Sequence, residues 1–117
     1  MREFIEAYKE CLLWASIGDD GEPLDDWATF DDLAPEALTQ IESDCADFLS
    51  DPRTAELCAA HGMAQSGHDF WLTRNHHGAG FWDRGYPAAI GEYLTDRAHA
   101  AGSQDAYVGD DGLIYLA

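Results

Sequence analysis

The sequence predicts a single domain of mixed α+β class over residues 1–117, in the order ααα–ββ–α–ββ. Three observations lead there. Apolar residues recur at helical spacing in the N-terminal half, the period shortens to two after Gly67, and a glycine–aspartate turn separates two short apolar runs near the C-terminus. The expected packing is three N-terminal helices, then two β-hairpins flanking a further helix. The four short strands would form one antiparallel sheet backed by helices.

The first helix covers residues 2–15, with Phe4, Ile5, Tyr8, Leu12 and Ala15 on one side. Gly18 to Asp32 is turn-rich, and Trp27 and Phe30 are expected to pin it to the core. Pro35 suits the first turn of a second helix, whose apolar stripe is Leu38, Ile41, Cys45, Phe48 and Leu49. Asp51 caps a short third helix beginning at Pro52, and Gly62 ends it. His68, Phe70 and Leu72 then alternate with Asp69, Trp71 and Thr73, which reads as a strand. Asn75 to Gly78 reads as its turn and Gly80–Trp82 as the return strand. Pro87 opens another helix lined by Ile90, Tyr93, Leu94 and Ala98, closed at Gly102. Ala106–Val108 and Leu113–Leu116 complete the second hairpin around Gly109–Gly112.

Charge is the strongest compositional signal. There are 23 acids against six lysines and arginines, a net charge of −17. Residues 1–58 hold 16 acids and three bases, a balance of −13, whereas residues 59–117 hold seven acids and three bases, a balance of −4. Such a field repels nucleic acid and anionic membrane and attracts basic surfaces. No run of residues has the length and apolarity of a membrane span, and the N-terminus reads as an amphipathic helix rather than a signal peptide. A cytoplasmic protein is expected. Three cysteines, Cys11, Cys45 and Cys58, read as reduced core thiols.

Three constellations compete for function. On the second helix Glu36, Asp44, Asp47 and Asp51 fall within about a quarter turn, opposite the apolar stripe. Carboxylates four residues apart lie ~6 Å apart along a helix axis, close to the ~7 Å between phosphates on one DNA strand. Together with Asp19, Asp20, Glu22, Asp25, Asp26, Asp31 and Asp32 they are the candidate partner-binding residues, an array standing in for phosphates. Solvated acidic faces are also ordinary, and cytosolic proteins of salt-loving cells share this composition with the acids spread evenly.

The second constellation, residues 68–85, gathers His68, His76, His77, Asp69, Arg74, Asp83 and Arg84. A general base oriented by a carboxylate, or a metal site adding Cys58 or His61, is conceivable there. No nucleophile or metalloprotease motif is present. Aromatic cross-strand packing, with an Arg74–Asp83 ion pair and an exposed His76–His77–Gly78 turn, is the stronger reading. The third, acidic loops at 19–26 and 105–111, does not match a calcium-loop pattern. No catalytic residue, metal or cofactor is assigned.

The stretch Gly67–Gly85 (GHDFWLTRNHHGAGFWDRG) resembles a segment of small proteins encoded by tailed bacteriophages and prophages. Leu94-Thr95, Ala98-His99 and Tyr107–Tyr115 fit the same pattern, so the resemblance covers about the C-terminal half. His76 stands where that segment more often has glycine. The resemblance implies a setting in the host bacterial cytoplasm and carries over no catalytic residue. Small acidic phage proteins are often anti-CRISPR or anti-restriction inhibitors that resemble DNA in charge. The expected function is therefore a non-enzymatic acidic decoy, a DNA mimic that occupies a basic nucleic-acid-binding host protein or CRISPR effector complex. A phage accessory enzyme or metal protein centred on residues 68–85 is the alternative, and a structural interaction module a third.

Overall fold

A computed structural model describes residues 1–77 and 79–117, and it is mainly helical. Helix α1 (Arg2–Ala15) buries Phe4, Tyr8, Cys11, Leu12 and Leu13. Helix α2 (Pro35–Leu49) has its proline in the first turn, where the missing N–H has no intrahelical partner to lose, and buries Ala37, Ile41, Cys45 and Phe48. Helix α3 (Pro52–His61) starts at Asp51, whose side chain accepts a hydrogen bond from the Thr54 N–H at 3.0 Å. Gly62, at φ 123°, ends α3, and α4 (Met63–Arg74) starts on its far side. Helix α5 (Ala88–Ala100) follows Pro87, and strands β1 (Ala106–Val108) and β2 (Ile114–Leu116) pair antiparallel with Tyr107 opposite Tyr115.

The expected α+β arrangement with a four-stranded sheet is wrong. Residues 68–73 lie in the second half of helix α4, and Phe81–Asp83, which overlaps the expected return strand Gly80–Trp82, is a single 3₁₀ turn. Gly78, the last residue of the turn expected at Asn75–Gly78, lies outside the described residues. Among the described residues the sheet has two strands. The physical reason is that Asp69–Arg74 has no wet face. Asp69, Phe70, Trp71, Leu72, Thr73 and Arg74 are all buried. A segment buried all round carries no periodicity that separates helix from strand, and its polar residues are inside because they are paired.

The core forms where α4 crosses α1. A Cβ on Gly67 would lie 2.0 Å from the Phe4 carbonyl oxygen, so only glycine lets the two backbones approach this closely. Phe48 and Phe70 stack at 4.1 Å between centroids, with Phe4 and Phe81 each 5.9 Å from Phe48. The three cysteines are buried and free, and burial pushes Cys11 and Cys45 up to about 12 and Cys58 to about 11. β2 is held to the helical body by the Ala34 N–H, which donates to the Ile114 carbonyl at 2.9 Å. Among the described residues no helix is long and apolar enough to cross a membrane.

Candidate functional site

The loop between α1 and α2 is built from successive tight turns. The Gly18 N–H donates to the Glu22 carbonyl at 2.9 Å, and Asp20 Oδ1 accepts from the Glu22 N–H at 3.0 Å. Thr29 and Asp32 then form a reciprocal cap, with Thr29 Oγ1 accepting from the Asp31 N–H and Asp32 Oδ2 from the Thr29 N–H at 2.8 Å. Leu24, Ala28 and Leu33 anchor this loop in the core. Trp27, expected as an anchor, is 47% exposed, while Phe30 is half-buried beneath Lys9 Nζ at 5.2 Å.

These turns leave Asp19, Asp20, Glu22, Asp25, Asp26 and Asp31 exposed, and Asp32 half-buried. Among the described residues none of these seven is in an ion pair. Asp25 and Asp31 join Glu10 around an open groove of about 390 Å³, floored by Leu13 and Ala28. The six basic side chains are engaged elsewhere or stacked on rings. Arg2, Arg74, Arg84 and Arg97 face Glu6, Asp44, Asp69 and Asp51, while Arg53 lies over Tyr93 and Lys9 over Phe30.

The carboxylate row expected on the second helix is not free along its length. Asp44 receives Arg74 Nη1 at 2.8 Å and Gln40 Nε2 at 2.7 Å. Asp51 accepts from the Tyr93 hydroxyl and from both the hydroxyl and N–H of Thr54, and these bonds, Tyr93 first, hold its carboxyl down at about 2. Glu36 and Asp47 remain exposed. They are eleven positions apart, roughly 16 Å along the helix axis. The regular phosphate-like spacing of the row is therefore lost, and Glu36 is the member that follows directly on the acidic loop.

Residues 67–85 form a knot of internal bonds. Asp69 is fully buried and receives Arg84 Nη2 at 2.8 Å, Arg84 Nε at 3.0 Å and Gln65 Nε2 at 3.1 Å. Thr73 Oγ1 accepts from the Phe81 N–H at 3.1 Å, and Gly80, at φ 144°, sits where a Cβ would lie 2.1 Å from that oxygen. Arg74 is 2% exposed and binds four groups: Tyr8 Oη, Asp44, and the Ala101 and Gly102 carbonyls beyond the end of α5. Asn75 Oδ1 accepts from the Gln104 N–H at 2.8 Å. The expected Arg74–Asp83 pair is not made. Arg74 turns inward, Asp83 is exposed, and Arg84 takes Asp69 instead.

The histidines of this segment do not converge. His68 lies tilted against Trp14, where burial pushes its pKa down; His76 stacks on His99 at 4.2 Å; His77 is exposed. His61 Nε2 is 3.9 Å from Asp69, beyond hydrogen-bond reach of a carboxylate already bound by Arg84. Among the described residues no group of three or more His, Cys, Asp or Glu side chains could hold a metal ion. The Tyr8–Arg74–Asp44 junction has no local signal in the sequence, since its members lie 30 or more residues from Arg74. No protein-family model, curated protein or solved structure matches the chain.

Proposed function

We propose that this chain is a stoichiometric inhibitor encoded by a bacteriophage or prophage. It acts in the host bacterial cytoplasm against a nucleic-acid-binding defence complex of the CRISPR or restriction kind. The loop carboxylates Asp19, Asp20, Glu22, Asp25, Asp26 and Asp31, with Asp32, Glu36 and Asp47 beside them, enter a lysine- and arginine-rich channel in place of nucleic acid. One observation carries the reading: the exposed loop acids have no ion-pair partner among the described residues, while the bases are engaged elsewhere or stacked on rings. Uncompensated charge attracts a basic channel over roughly a Debye length, ~8 Å at physiological salt. Docking then releases the anions that neutralise that channel. The likeness of Gly67–Gly85 to phage segments supplies the setting. The internal bonds of those residues give that half the part of scaffold.

The test is capture from bacterial lysate on immobilised protein at low and high salt. Nuclease or CRISPR components should be retained at low salt, released at high salt, and lost when Asp19, Asp25, Asp26 and Asp31 are changed to Asn. Retention of the same components by that variant overturns the proposal. Asp44 and Asp51 are unsuitable for this test, because their substitution would disturb Arg74 and the start of α3.

A further inference from the structure

The β1–β2 hairpin has one covered edge and one open edge. On β2, Ile114 is bonded through its carbonyl to Ala34 and bridges Leu33. Among the described residues β1 pairs with β2 alone. The register decides which of its peptide groups face outward. Asp105 and Ala117 exchange both hydrogen bonds, at 3.0 and 2.9 Å, and the Gly109 N–H donates to the Leu113 carbonyl at 2.8 Å. Bonded pairs alternate along an antiparallel ladder, so Tyr107 is also turned toward β2. The N–H and C=O groups of Ala106 and Val108 therefore face away from it.

The side chains beside this edge have one chemistry. Asp105 and Tyr107, two residues apart, share a face. Tyr107 stacks on Tyr115 at 5.8 Å, and the Tyr115 hydroxyl donates to Asp111. The two rings thus lie beside two carboxylates, Asp111, which accepts from Tyr115, and Glu36, which shares a cleft with both tyrosines. Tyr107 is 49% exposed, and an open cleft of about 580 Å³ runs past it to Val108 and Asp111.

We propose that β1 is a strand-addition site for an extended basic segment of a partner protein. The partner's backbone would pair with the outward groups of Ala106 and Val108. Its lysine or arginine side chains, at alternate positions, would lie over the tyrosine rings and reach Asp111 and Glu36. Charge selects this occupant. A second copy of the chain would bring another −17 and a second set of the same carboxylates to the edge. This site does not require the acidic-loop reading, and of the acids named there it shares Glu36 alone.

The experiment is a titration of ¹⁵N-labelled protein with an acetylated, amidated hexapeptide alternating lysine and valine. The amides of Ala106 and Val108 should shift most, and binding should weaken as salt is raised. Val108→Pro removes an outward donor and no bond to β2, so it should weaken binding about tenfold or more with the Tyr107–Tyr115 contact retained. Should that variant not fold, the same peptide N-methylated at every residue provides the equivalent loss on the unaltered protein. Shifts confined to residues 19–32, equal binding by the methylated peptide, or self-association without peptide shifts at β1 would each overturn the proposal, and the amides of Ala106 and Val108 tell strand addition apart from binding of the peptide to the acidic loop.

Discussion

Residues 67–85 and residues 18–32 are both crowded with polar and charged groups, and they use them in opposite ways. In the first, Asp69, Thr73, Arg74, Asn75 and Arg84 each bond to a group on another element or turn. In the second, the bonds that Asp20 and Asp32 make go to backbone N–H groups within the loop itself, and the rest of the acidic side chains face solvent. A buried polar group is retained because removing its partner exposes the full cost of desolvation. An exposed carboxylate away from cations contributes little to stability and lowers the potential around it. The distinctive motif is therefore the part that holds the molecule together, and the nondescript loop is the part that turns its charge to solvent.

That contrast can be broken most strongly at Arg74. Arg74→Met leaves the Tyr8 hydroxyl buried without its donor and frees the Ala101 and Gly102 carbonyls. It should cost about 3–5 kcal/mol in urea unfolding, the range for removing one partner of a buried pair. Gly67→Ala should follow at about 3 kcal/mol, because the new methyl meets the Phe4 carbonyl and α1 must move away from α4. A smaller effect comes from acid. The Asp51 carboxyl is lowered from 3.8 to about 2 in the folded chain, so its stabilising share is complete above 3.8 and is lost as pH falls toward 2. Asp111, lowered by its bond from Tyr115, acts in the same direction. Asp51→Asn should therefore flatten the fall of the urea midpoint in that window. The smallest effect belongs to the loop. Asp19, Asp25 and Asp26 changed together to Asn should alter stability by no more than about 0.5 kcal/mol, toward stabilisation, as charge repulsion is relieved.

The sequence exposes some of this and conceals the rest for reasons that particular residues make plain. Pro35, Asp51, Gly62 and Pro87 mark helix ends by local rules, and the hairpin at 106–116 announces its turn by Gly109 to Gly112. The second half of helix α4 is concealed because its neighbours bury every residue from Asp69 to Arg74, which removes the polar face that would have revealed its period. The acidic loop is visible from a count of charges. Which acids are engaged is not visible, since Asp44 and Asp47 look alike on a helical projection. Arg74, brought in from α4, is what separates them. Asp51 was the decipherable case: a residue that caps α3 already has a use for its carboxylate.

The most direct measurement is the slope of log K against log salt for the captured host protein, compared between two neutralised variants. One carries Asn at Asp19, Asp25, Asp26 and Asp31; the other carries Gln at Glu92 and Asn at Asp96, exposed acids of α5. The slope should fall for the loop variant and stay at its original value for the α5 variant. A fall in both variants in proportion to the charges each has lost, four in the loop and two on α5, would mean that the acidity acts as a diffuse coat over the molecule, and that residues 18–32 have no special part in binding.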